Sequence, residues 1–105
     1  MSVTGSPQGA TPTYISAAPG TPVGYQQVTA AGTAEALTVP AGAVGAVLVV
    51  SGAAVNMRSD GTAPTASVGW PIANGGTLVL GGSWLTGAQF IAQSGTATIN
   101  ANYFG

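Results

Sequence analysis

Glycine-bearing turns recur so closely along this chain that no long helix fits between them. From residue 31 they fall at Ala31-Gly32, Pro40-Ala41-Gly42, Ser51-Gly52, Asp60-Gly61, Asn74-Gly75-Gly76, Gly81-Gly82 and Ser94-Gly95. Glycine reaches positive φ without a steric penalty, and Asn and Asp tolerate it, so each divider can reverse the chain. The spacing predicts strands at residues 25–30, 34–39, 44–50, 55–58, 69–72, 77–80, 88–93 and 97–104. About eight short strands with such turns fit an all-β, jelly-roll-like β-sandwich. A length of 105 residues allows one domain.

Side-chain alternation supports these strands. In the last, Ile99, Ala101 and Tyr103 share one face, while Thr98, Asn100 and Asn102 share the other. Val55 and Met57 likewise oppose Asn56 and Arg58. The continuous run Val47-Leu48-Val49-Val50 fits a strand covered on both faces. It also has the high β propensity and lack of charge of a segment that associates when exposed at an edge. No segment shows a helical apolar stripe of useful length, although residues 33–37 suit a turn.

Residues 1–23 differ from the rest. They hold Pro7, Pro12, Pro19 and Pro22, four of the seven prolines, among Gly, Ser, Thr and Ala. Proline fixes φ and removes a donor, favouring an extended path. Such a stretch has little apolar surface of its own to bury. It reads as an extended N-terminal arm held by a neighbouring subunit, with residues 24–105 forming the sandwich domain. Tyr14 and Ile15, the only bulky apolar pair in the arm's first two thirds, are the expected anchor.

Charge restricts function further. Only Glu35, Arg58 and Asp60 are charged, 3% of the chain, against roughly 25% in an ordinary domain. The mean hydropathy is +0.42. A surface this neutral has little to oppose association, which points to an assembly subunit. With neither Cys nor His, thiolate nucleophiles, disulfides, histidine bases and Cys/His zinc sites are excluded. One arginine and no lysine cannot neutralise a row of phosphates, so direct binding to nucleic acid or to an anionic membrane is not expected. The most apolar stretch, residues 41–55, falls short of the roughly 20 residues that span a bilayer. The first residues lack the basic start and apolar centre of a secretion signal. The chain is therefore expected to be made in the cytoplasm and used there, or built there into something that later leaves.

Residues 56–72 read NMRSDGTAPTASVGWPI. Asp60 can accept backbone N–H bonds in its own turn, Gly61 can take positive φ, and Arg58 is close enough to pair with Asp60. Pro64 and Pro71 stiffen the loop. This arrangement resembles a group of small virion structural proteins of tailed bacteriophages. They carry Arg-x-x-Asp-Gly-Thr-x-Pro-Thr, then a Gly-aromatic-or-Met-Pro-aliphatic segment. A later Phe-Ile strand, here Phe90-Ile91, and an aromatic-ended closing strand, here Tyr103-Phe104, complete the pattern. The resemblance spans residues 37–105 and implies a β-sandwich capsid decoration (cement) subunit. It further implies a homo-oligomer, with a trimer favoured, bound to a major capsid or other virion protein and lacking a cofactor.

Few residues compete for a chemical role. A glycosidase needs two carboxylates flanking one bond, whereas Glu35 and Asp60 sit in separate turns, so no enzymatic role is expected. Neutral oxygens would have to supply most of a calcium site, so no metal is expected either. Arg58 and Asp60 are expected to pin the loop or to meet a partner. Trp84, after Gly81-Gly82-Ser83, is a candidate interface aromatic, while Trp70 is expected to pack inside. The alternative to a cement subunit is a host-recognition or glycan-binding module on a tail, collar or head fibre. That reading calls for Asn74, Asn100 and Asn102 beside an exposed Trp84. An ice-binding array is disfavoured because the threonines show no fixed repeat.

Overall fold

In the computed structural model, residues 20–105 are described, and eight strands form two antiparallel four-stranded sheets. The strands are β1 (Pro22–Ala30), β2 (Glu35–Ala36), β3 (Gly45–Ser51), β4 (Val55–Arg58), β5 (Trp70–Ile72), β6 (Thr77–Gly81), β7 (Gln89–Ala92) and β8 (Ala97–Phe104). One short helix, α1 (Ser83–Thr86), links β6 to β7. The sheet orders are β1-β8-β3-β6 and β2-β7-β4-β5. All but one of the connections cross from one sheet to the other; only β4 and β5 are joined as a hairpin. These orders are those of a jelly roll, so the expected all-β sandwich is the fold observed.

The alternation read from the sequence sets the core. Ile99, Ala101 and Tyr103 of β8 are buried beside Ala46, Leu48 and Val50 of β3. Val55 and Met57 of β4 and Phe90 and Ala92 of β7 supply the facing layer. Strand β3 lies between β8 and β6, as its apolar run requires. Its outward Val47 is also buried, flanked across the ladder by Asn102 and Val79, while Val49 is only half-buried.

Three local departures have clear causes. The strand expected at residues 34–39 pairs only over Glu35–Ala36. Beyond it the Thr38 amide donates to Gln26 Oε1 at 3.0 Å instead of to a ladder partner. Leu37 and Val39 still pack on the core. At the other boundary, β1 begins at Pro22, inside the stretch assigned to the arm. Pro22 lies opposite Phe104 at the first position of an edge strand, where a missing N–H is tolerated. Tyr14 and Ile15 lie outside the described residues. Helix α1 escaped the sequence reading because four residues cannot display a 3.6-residue period.

Tyr103 joins core to edge. Its ring is buried, and its hydroxyl donates to Gln26 Oε1 at 2.7 Å. Burial raises the phenol's pKa above its ordinary value. The neutral form is therefore favoured by folding. Its contribution is complete below the ordinary tyrosine range and lost as pH rises through the raised value. Urea unfolding across pH 8–12 should show stability falling at the alkaline end, with most of that fall missing in Tyr103→Phe. At neutral pH the same variant should lose about 0.5–1.5 kcal/mol, the net worth of one hydrogen bond. Leu48→Ala, fully inside the core, should lose about 2–5 kcal/mol by the same assay.

Candidate functional site

The 59–69 loop is organised by a side chain that alternation alone assigns to an outer face. Asn56 on β4 is only 4% exposed. Its Nδ2 donates to the Thr65 carbonyl at 2.9 Å, and its Oδ1 accepts from Gln93 Nε2 at 3.0 Å. Asn56 therefore ties the loop down over the outside of β4, with Pro64 buried beneath it. Within the loop Thr65 Oγ1 accepts the Val68 amide at 3.0 Å. The chain re-enters β5 through Gly69 at φ 149°, where a Cβ would come within 2.9 Å of Asn56 Cβ. Both the angle and the space call for glycine there.

Arg58 and Asp60 meet as the sequence predicts. Nε and Nη2 of Arg58 donate to the two carboxylate oxygens of Asp60, with Nε to Oδ1 at 3.1 Å. Asp60 Oδ1 also accepts the Thr62 amide at 3.2 Å. The Arg58 fork, followed by the Thr62 amide, holds the Asp60 carboxyl below its ordinary pKa, and the same pairing raises that of Arg58. This is a planar, two-point pair. It is also exposed, so it shapes the loop more than it stabilises the domain. Glu35 sits on the far edge strand β2, opposite Phe90, in a sheet ordered β2-β7-β4-β5. Asp60 is thus committed to Arg58 and Thr62, and Glu35 lies across the sheet from it.

Beside this pair stand both tryptophans. Trp70 is 61% exposed and Trp84 is 55% exposed; their rings meet edge to face with centroids 6.4 Å apart. Trp84 stands exposed at the rim. That for Trp70 is overturned: it does not pack inside. Trp70 lies opposite the buried Met57 and two residues from the buried Ile72, so its register is that of an inward residue. However, β5 and β6 are the edge strands of their sheets, and the flank between them is open. An inward side chain at that edge lines a groove instead of filling a core.

Two depressions share Met57, Trp70 and Trp84. One, of about 440 Å³, runs past Arg58, Asp60 and Ser83; the other, of about 650 Å³, runs along Ile72, Val79 and Leu80. Helix α1 carries Trp84 to this position because Gly82 precedes it at φ 58°, while Leu85 anchors the turn in the core. The asparagines that a glycan groove calls for do not gather here. Asn100 Oδ1 accepts from Tyr25 and Gln27 on the outside of the other sheet, and Asn74 accepts from the Gly52 amide. Neither these two nor Asn102 lines the groove.

No protein-family model, curated protein or solved structure matches the chain. What the site offers is therefore read from its own groups. It presents two aromatic faces, an apolar trough and one self-neutralised ion pair. That set suits capture of a neutral, largely apolar surface. Among the described residues no helix is long and apolar enough to cross a membrane.

Asp60 makes the loop sensitive to acid. Its folded pKa is lowered, so its contribution is present above the ordinary carboxylate range and fades as pH falls through the lowered value. The protection factor of the Thr62 amide, its exchange rate corrected for the intrinsic pH dependence, should therefore fall in acid. Asp60→Asn should lower it already at neutral pH while leaving the melting temperature almost unchanged.

Proposed function

We propose that the chain is a non-enzymatic structural protein of a tailed-phage virion, a capsid decoration (cement) subunit that stabilises the shell by bridging neighbouring subunits. The observation that carries this reading is the character of the surface. Val44, Val68, Trp70, Val79 and Trp84 are all more than half exposed on a chain with three charged residues. Apolar side chains scattered singly are ordinary, but a groove edged by two tryptophans and a valine marks an interaction site. Apolar contacts of this kind persist when salt screens ion pairs. The jelly roll supplies a rigid body to hold them, and the 56–72 segment supports the same reading through its resemblance to the phage group.

The bridging is mechanical. Burial of the exposed aromatic and aliphatic side chains drives it, and partner backbone groups meet the edge strands. No proton transfer, nucleophile or metal is involved. The virion is accordingly the proposed location, and a homo-oligomer on a capsid protein the proposed arrangement.

Particles produced without the chain should still assemble, but should release their genome at lower temperature or milder osmotic shock. Adding the purified protein back should restore durability. Unchanged durability of fully stripped particles refutes the cement role. Retained durability together with saccharide-array binding that disappears in Trp84→Ala would establish the host-recognition alternative.

A further inference from the structure

The groove between β5 and β6 and the point where the N-terminal arm leaves the body lie at the same end of the sandwich. Pro22 stands opposite Phe104, Phe104 opposite Gly45, and Gly45 opposite Gly81. The backbone continues this line: the Val44 amide donates to the Phe104 carbonyl at 2.8 Å, and the Gly82 amide donates to the Val44 carbonyl at 3.1 Å. Trp84 follows two residues later, and Trp70 opens β5 across the groove from it. The exit and the groove nevertheless occupy opposite flanks, because β1 and β6 are the two edges of one sheet. Three strand spacings, about 14 Å, separate them within one subunit.

We propose that the Trp70–Trp84 groove receives the proline-rich N-terminal arm of an adjacent copy of this chain. This extends the assembly reading by naming what the arm meets. Copies set flank to flank bring the β1 edge of one against the β5–β6 edge of the next, so exit and groove become neighbours. Such a head-to-tail contact closes into a ring when the rotation permits. The 19 residues before Gly20 reach about 59 Å in a polyproline II path. That length spans the neighbouring groove with residues to spare. Ile15 and Tyr14 lie five and six residues before Gly20 and enter the groove first.

The chemistry of the two surfaces agrees. Extended proline-bearing segments dock in grooves lined by aromatic side chains, because the segment has little conformational entropy left to lose. The arm holds no charged side chain, the first in the chain being Glu35. The groove's only charges, Arg58 and Asp60, are already paired with each other. A neutral segment therefore buries nothing unpaired, whereas a phosphate or an acidic peptide would have to draw Arg58 away from Asp60.

The test uses the full chain with a photoreactive benzoyl-phenylalanine at position 14, and again at position 15, followed by denaturing mass analysis. The expected product is a covalent dimer in which the arm is joined to the peptide carrying Trp70 or Trp84. In sedimentation, Trp84→Ala and Ile15→Ser should each raise the oligomer's dissociation constant by about tenfold or more. The double variant should be no weaker than the worse single one. A thermal melt confirms that each variant keeps its fold. A cross-link confined to monomer-mass product would assign the groove to the chain's own arm and overturn the proposal. Cross-links elsewhere, or a full-length chain that stays monomeric, also overturn it. So does a neutral oligosaccharide that binds at Trp84 while Ile15→Ser leaves the oligomer intact. Cross-linked dimers stand or fall in purified protein, apart from any effect on particles. If Ile15→Ser detaches the protein from shells while the oligomer survives, the cement role stands and this inference fails.

Discussion

The position of β8 between β1 and β3 is the constraint on which the remaining structure depends. Its eight residues complete two ladders at once, and its buried Ile99, Ala101 and Tyr103 form the middle of the core. Through it the start of the described chain is joined to the end, since Thr21 and Gly105 exchange backbone hydrogen bonds at 3.0 and 2.9 Å. Few of these contacts are local. Residues far apart in sequence must meet before any sheet is whole, which is the topology of a slow-folding, cooperative domain. The open flank at β5 and β6 is the counterpart of this arrangement: β8 and β3 hold the middle of one sheet, and both sheets end in edge strands at that flank.

The strands were legible because glycine marks where they stop, and six of the eight lie within two residues of where turn chemistry places them at each end. The exceptions are instructive. The segment after Glu35 has a strand-like composition, yet a single side-chain oxygen on Gln26 takes the Thr38 amide and ends the pairing. At β1 the proline that looked like arm begins the ladder, because an edge position does not need its missing N–H. Which strands share a sheet was not legible. That order depends on pairings such as Pro22 with Phe104, which no local pattern encodes.

The site was legible in its parts and not in its assembly. Arg58 and Asp60 are two residues apart, so their pairing follows from the covalent chain. Trp70 and Trp84 are fourteen apart, and their meeting requires β5 and β6 to be facing edges, a property of the completed fold. Asn56 shows the opposite difficulty. Alternation puts it correctly on the outer face, but only the loop folded over that face makes it buried and structural. Tertiary context decides what a face means.

The pairing of the two indole rings carries a consequence for observation. Trp70 and Trp84 are the only tryptophans in the chain, and both stand at the mouth of one groove. Light absorbed and re-emitted by the protein at long ultraviolet wavelengths therefore comes from that single place. The molecule contains its own optical gauge of how wet or covered the groove is, with no dye attached and no other region contributing.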